Sequence, residues 1–141
     1  MPIKMRVLHT SGKKKFAKIA GLIKQKYELV QNATDTIPPA YSCDKERIVI
    51  LELAGKADVD DSLRRFCREL NKQRAANVAL LVEGTPIYAD KVKEILREAG
   101  TNVIDEVLYV KGGLPFLSSL KPEEETAVLD WLENKVLTQL Q

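Results

Sequence analysis

The apolar residues of the chain follow two different periods in turn. The run from Ile3 to His9 is dominated by apolar residues and predicts a strand. The next apolar residues recur at i, i+3, i+4 and i+7, which is one stripe of a helix: Phe16, Ile19, Ala20 and Ile23. The beginning of the chain therefore predicts a strand followed by a helix from about Lys14 to Lys26.

The same alternation continues to the end of the sequence. Further strands are predicted for the apolar runs Tyr27 to Val30, Arg47 to Ala54, Val78 to Val82 and Val103 to Val110. Further helices are predicted for the stripes Val59 to Leu70, Pro86 to Ala99 and Pro122 to Leu140. Thr85 is the predicted cap of the third helix, and Gly100 is its predicted end.

One stretch, from Gln31 to Glu46, carries no helical stripe. It contains turn-forming residues, including Asn32, Asp35, Pro38 and Pro39. A stretch of this length is long for a compact domain, and we expect it to be irregular.

Strands separated by helices imply crossover connections and a parallel sheet. We therefore predict one α/β domain over residues 1–141, a three-layer open parallel sheet of five strands. The expected strand order is 2-1-3-4-5, which is a common order of such sheets. Ligands of such sheets bind outside the carboxyl ends of the strands, where the strand order reverses. The crevice between strands one and three is the expected site.

The composition of the chain restricts its possible functions less than it restricts its possible folds. The chain has 141 residues, 45% of them hydrophobic, and a net charge of +2, which argues for a globular protein and against a nucleic-acid partner. No apolar run approaches the roughly 20 residues of a membrane span, and no signal peptide is predicted. Cys43 and Cys67 have neither zinc-site nor redox-motif spacing, which fits a reducing, cytoplasmic setting.

The connection from the first strand to the first helix is the most informative segment. It reads Thr10, Ser11, Gly12, Lys13, Lys14, Lys15. The N-terminus of a helix attracts anions, so three lysines there suggest a phosphate-bearing ligand or an acidic partner protein. The alternative is a solvated charge run at the start of an amphipathic helix. His9 and Ser11 suggest a hydrolytic pair only weakly, because no nucleophile elbow is present.

Other strand ends supply the remaining candidates. Gly55 follows the third strand, and Gly84 and Thr85 follow the fourth. Tyr88 is a candidate to stack on a ring, although helical spacing to Val92 favours packing. The turn Gly112 to Phe116 follows the fifth strand, and we favour a structural turn over a ligand loop there.

The element order and two segments, "MRVLHTSGKKKFAKIAGLI" and "KVKEILREAGTNVIDEVLYVKGGLPF", resemble flavodoxins and flavodoxin-like reductase domains. The resemblance implies a flavodoxin-like fold and binding of flavin mononucleotide (FMN) for electron transfer. By resemblance, the FMN-binding residues would be Thr10, Ser11, Gly12, Lys13, Lys14, Gly55, Gly84, Thr85 and Tyr88.

The sequence also departs from the family at this site. Lys13 and Lys14 stand where the family has Asn and Thr, the loops after the third and fourth strands are short, and an aromatic residue is missing from the third-strand loop. Two hypotheses follow. One is an FMN protein with a redox partner. The other is a flavodoxin-like module without flavin, used for protein interaction or for another phosphate-bearing ligand.

Overall fold

A computed structural model describes residues 3–111 and 119–141. Its strands are β1 (Met5–His9), β2 (Thr34–Thr36), β3 (Ile48–Gly55), β4 (Asn77–Gly84), β5 (Asn102–Val103) and β6 (Leu108–Tyr109). Its α-helices are α1 (Lys14–Lys26), α2 (Asp61–Glu69), α3 (Pro86–Ala99) and α4 (Pro122–Trp131). The predicted α1 is confirmed at both ends.

The strands form one parallel sheet with the order β2-β1-β3-β4-β5, and β6 also pairs with β4. The predicted order 2-1-3-4-5 is therefore confirmed. In register, His9 of β1 lies beside Glu52 of β3, which in turn lies beside Leu81 of β4.

Two apolar layers enclose the sheet. Side chains of α1 and α4, including Phe16 and Trp131, pack on one face together with Ile50 of β3. Side chains of α2 and α3 pack on the other face, where Cys67 and Leu51 are fully buried. Burial of both faces explains why β3 and β4 are almost continuously apolar.

The predicted strand at Tyr27 to Val30 is wrong. The α1 helix ends at Tyr27, and Glu28 adopts a left-handed backbone conformation with φ of 51°, which turns the chain away from the sheet. The second strand is instead the short β2, which pairs with β1 through Thr34 to Thr36. Its neighbours Asn32 and Pro38 are turn formers, and these obscured it in the sequence.

The predicted fifth strand is interrupted. β5 ends at Val103 and β6 begins at Leu108. Between them, the Trp131 indole Nε1 donates a hydrogen bond to the Glu106 carbonyl oxygen at 3.1 Å. The predicted last helix also changes character, because the regular α-helix ends at Trp131 and a π-helical turn continues from Leu132 to Val136.

The connection from β2 to β3 contains no helix. The segment Gln31 to Glu46 is irregular as predicted, apart from β2 and a short 3-10 turn at Gln31–Ala33 that precedes it. After Thr36 the chain covers the sheet face on the α2 side, where the Cys43 side chain is 4% exposed. No helix in the described part of the chain is long and apolar enough to cross a membrane.

Candidate functional site

A groove of about 720 Å³ lies at the carboxyl ends of the strands. It is bounded by the start of α1, the ends of β3 and β4, and the residues after β6. Its described lining residues are Lys13, Ala54, Gly55, Lys56, Glu83, Gly84, Val110 and Lys111. The groove is thus at the edge where an open α/β sheet is expected to bind its ligand.

The β1–α1 loop reaches this edge through a turn at Gly12, whose φ is 84°. A side chain is strained in that conformation, so glycine suits the position. Thr10 holds the start of the loop against β3, because its backbone N–H donates to the Glu52 carbonyl oxygen at 3.0 Å. Ser11 and Gly12 are exposed at the loop tip.

The N-terminus of α1 has no side-chain cap and no acidic residue in its first turn. Its first backbone N–H groups therefore remain available to an anion. Two of the three lysines at this end pair with acidic side chains of the protein. Lys13 Nζ lies 3.1 Å from Glu83 Oε1, and Lys15 forms an ion pair with Glu124.

These two ion pairs partly explain why lysines cluster at the start of α1. Glu83 at the end of β4 and Glu124 in the first turn of α4 neutralise two of the three lysines, Lys13 and Lys15. Burial opposes ionisation of Glu124, but hydrogen bonds from Lys15 and the Lys121 backbone lower its pKa. Lys14 is exposed.

The floor of the groove consists of two closely packed strand ends. Gly55 and Gly84 are neighbours in the β3–β4 register, and a Cβ at Gly84 would overlap the Gly55 carbonyl oxygen. A Cβ at Gly55 would overlap the Tyr88 ring. Glycine at position 84 therefore lets the two backbones come together, and glycine at position 55 leaves room for the Tyr88 ring.

Tyr88 lies under this floor. Its side chain is 2% exposed and packs in the core with α2 and α3. Burial, and secondarily the Asp60 charge, raises the pKa of Tyr88 to about 12. The packing alternative for Tyr88 is thus the one that the structure favours, and the ring is covered by Gly55 on the groove side.

Thr85 joins two loops of the site. Its hydroxyl accepts a hydrogen bond from the Tyr88 backbone N–H at 3.2 Å, which confirms the predicted helix cap. The same hydroxyl donates to the Lys56 carbonyl oxygen. Both bonds fix the β3–α2 loop to the start of α3, so the Thr85 side chain acts as a brace.

Sequence reasoning missed three charged residues of the groove: Lys56, Glu83 and Lys111. Each lies at or just after the end of a strand, where the fold predicts ligand contacts. Lys56 and Lys111 are exposed. With Lys13 they bring three ammonium groups to one groove, from three distant parts of the sequence.

Glu52 is the second feature that sequence reasoning did not single out. It lies in β3, is 0% exposed, and neither carboxyl oxygen finds a hydrogen-bond partner among the described residues. Desolvation by burial raises its pKa well above the ordinary glutamate value. A single acidic residue inside an apolar strand was the signal available in the sequence.

The remaining candidates are not among the described residues that line the groove. His9 Nδ1 lies 3.0 Å from the Thr10 carbonyl oxygen. Burial raises the pKa of the Cys43 thiol, which disfavours the reactive thiolate form. Gly112 to Phe116 lie outside the described residues. Within 3–111 and 119–141, no cluster of three or more potential metal ligands is present.

Comparison with known proteins supports the fold and leaves the activity undetermined. No protein-family model matches the chain, and no curated protein matches it. Among solved structures, the chain is similar to a flavodoxin from Streptococcus pneumoniae TIGR4, with 12% sequence identity, a TM-score of 0.65, and coverage of 96% of this chain and 98% of that chain. The chain therefore has a flavodoxin-like α/β fold with the parallel strand order 2-1-3-4-5.

Proposed function

We propose that this protein is a flavodoxin-like module whose groove binds a phosphate-bearing ligand. One observation carries the proposal: Lys13, Lys56 and Lys111 come from three separate loops and line the same groove. Glu83 pairs with Lys13 and offsets one of the three charges, and the positive charge that remains in the groove favours an anionic occupant. The uncapped N-terminus of α1 adds backbone donors at the same end.

The phosphate end of FMN fits this chemistry. Ser11 and Gly12 present an exposed loop next to Lys13 and Lys14, where the resemblance to flavodoxins would have the FMN phosphate bind. Lysine contributes to phosphate binding as a point charge and needs no fixed geometry.

The ring end of FMN fits less well. The described lining of the groove contains no aromatic side chain, and the nearest ring, Tyr88, is covered by Gly55. Flat apolar contact with an isoalloxazine ring would fall to Ala54, Gly55 and Val110. We therefore derive no electron-transfer step, and treat FMN as one phosphate-bearing ligand to be tested against others.

A second candidate function is docking of an acidic partner protein. Two large apolar side chains are exposed near the groove: Ile87 in the first turn of α3 is 62% exposed, and Tyr109 of β6 is 44% exposed. Aromatic side chains are enriched at protein interfaces, and the neighbouring lysines would complement an acidic partner. This candidate uses the same edge of the sheet and the same lysines.

The test is a titration of the purified protein with FMN, followed by flavin fluorescence, together with a sulfate titration followed by amide chemical shifts. Phosphate binding predicts saturable shifts of the Gly12 and Gly55 amides. Lys13→Ala, Lys56→Ala and Lys111→Ala should each weaken binding several-fold. Lys26→Ala is the matched control, because Lys26 is an exposed lysine at the other end of α1.

The outcomes separate the candidates. Quenching of FMN that the three groove variants weaken supports a flavin ligand. Saturable sulfate shifts without FMN binding support a different phosphate-bearing ligand. Absence of any saturable shift with either anion overturns the proposal and leaves the docking candidate, which Ile87→Ser and Tyr109→Ser would then test.

A further inference from the structure

Glu52 is a buried acid in the middle of the sheet. It interrupts the apolar strand β3, its side chain is 0% exposed, and both carboxyl oxygens lack a hydrogen-bond partner among the described residues. Buried acids are normally paired or hydrogen-bonded, because an isolated charge is costly to remove from water. The position therefore requires an explanation beyond packing.

The side chain of Glu52 belongs to the face of the sheet that carries the anion site. Ile48 and Ile50 precede it at two-residue spacing on the same face of β3, and they pack in the core layer of α1 and α4. Ala54 is two residues further on the same face and lines the groove. A strand rises about 3.3 Å per residue, so the Glu52 backbone lies about 7 Å below the groove lining.

Among residues 3–111 and 119–141, no charged group pairs with Glu52. The charged or titratable side chains at this end of β1, α1, β4, α4 and β6 are His9, Lys13, Lys15, Glu83, Glu124 and Lys111. Lys13 and Lys15 are already paired with Glu83 and Glu124. Burial is therefore the cause of the pKa shift, and it raises the pKa of Glu52 well above its ordinary value.

We propose that anion binding in the groove is coupled to the protonation of Glu52, so that the protein binds its anion with the acid neutral. This inference rests on the proposed function. An ionised Glu52 repels a phosphate group in the groove through a medium of low polarity, whereas the neutral acid does not. By linkage, a bound anion makes Glu52 hold its proton to a higher pH. Glu52 affects the site through its charge state and does not contact the ligand.

The coupling predicts a specific pH dependence. Anion affinity is highest where Glu52 is protonated, and it falls as rising pH ionises the acid. We expect a loss of about tenfold across the titration, which equals about 1.4 kcal/mol. Glu52→Gln keeps the size of the side chain and removes the proton, so its affinity should lack this part of the pH dependence.

Sulfate is the probe for this test, because its charge is constant between pH 5 and 9.5. Its affinity is measured from amide chemical shifts in the wild-type protein and in Glu52→Gln at several pH values. All other ionisable groups are common to both proteins, so the ratio of the two affinities isolates the contribution of Glu52. A second measurement uses only the wild-type protein: the ¹³C signal of the Glu52 carboxyl is titrated with pH, with and without saturating sulfate.

Each outcome decides something. A wild-type to Glu52→Gln affinity ratio that falls about tenfold with pH, and a Glu52 titration that sulfate moves upward, support the coupling. A constant ratio and an unmoved titration overturn it while leaving the anion site intact. If neither sulfate nor FMN binds to either protein at any pH, the proposed function itself is overturned. If Glu52→Gln does not fold, the carboxyl titration decides alone.

Discussion

Lys13 and Glu83 form an ion pair across the groove, with 3.1 Å between Nζ and Oε1. The pair connects the first residue before α1 to the end of β4, which are 70 residues apart in the sequence. Both side chains are partly exposed, with 43% and 21% of their surface accessible. The pair therefore contributes little to stability, and its main effect is on the charge of the groove.

Replacing Glu83 with glutamine should strengthen anion binding. Glu83 is the one acidic side chain among the described residues that line the groove. Its removal frees Lys13 for the ligand and ends a repulsion, so sulfate affinity should rise a few-fold, about 0.5–1 kcal/mol. The gain should shrink at high salt, because exposed charges are screened.

The control for this prediction is Glu98→Gln. Glu98 is an exposed glutamate near the end of α3, remote from the groove, so its replacement changes the net charge equally. An equal rise in both variants would mean that net charge alone is responsible. That result would contradict a local role for Glu83.

The close approach of β3 and β4 gives a prediction about stability. Gly84→Ala should destabilise the protein by more than Gly55→Ala, because its Cβ would meet the Gly55 backbone, whereas a Cβ at Gly55 would meet the Tyr88 ring. Overpacking of this kind costs about 1–3 kcal/mol, and a backbone carbonyl cannot rotate away as a side chain can. Urea denaturation measures both changes.

Gly21→Ala is the matched control for the two glycines. Gly21 lies inside α1, and an added Cβ would meet nothing within 4 Å. Alanine should stabilise the helix there by about 0.5–1 kcal/mol. Equal destabilisation at positions 21, 55 and 84 would contradict the packing that the structure shows.

The sequence was sufficient for the fold and less so for the site. β3, β4 and α1 are long and strongly periodic, so they were found from the sequence, and the sheet order followed from the type of fold that they indicate. β2 is three residues long and held by pairing with β1, so its signal was weaker than the turn residues around it. The apolar run Tyr27 to Val30 was misleading, because Leu29 packs against the core from a turn.

The candidate site was likewise predicted only in part from the sequence. Strand-end positions followed from the fold, which is why the β1–α1 loop and the two glycines were found. The charges of Lys56, Glu83 and Lys111 meet only through tertiary structure, and nothing local in the sequence joins them. Tyr88 illustrates the reverse case. The sequence made it a candidate site residue, but its ring is buried in the core, and only the tertiary structure shows this.

The hydroxyl of Thr85 gives a prediction that separates shape from hydrogen bonding. Thr85→Val keeps the shape and removes both the helix cap and the bond to the Lys56 carbonyl oxygen. It should cost about 1 kcal/mol or somewhat more. Thr85→Ser keeps the hydroxyl and should cost less, and equal losses in thermal denaturation would contradict the bracing role.

The buried acid Glu52 predicts how stability changes with pH. In the unfolded chain a glutamate loses its proton near pH 4.3, whereas burial keeps Glu52 protonated in the folded protein to a much higher pH. Between these two values the folded state binds more protons, so stability falls as pH rises. The fall should approach about 1.4 kcal/mol per pH unit from this group, and it should stop above the folded pKa.

Glu52→Gln removes the titrating proton and keeps the side-chain volume, so it should abolish this fall and be more stable than the wild-type protein at pH 8. The measurement is the free energy of unfolding in urea at pH 5, 6.5 and 8 for both proteins. Because all other titrating groups are shared, the difference between the two curves belongs to Glu52. A difference that stays constant with pH would mean that the folded protein already stabilises the ionised carboxylate, which the absence of any partner within the described residues argues against.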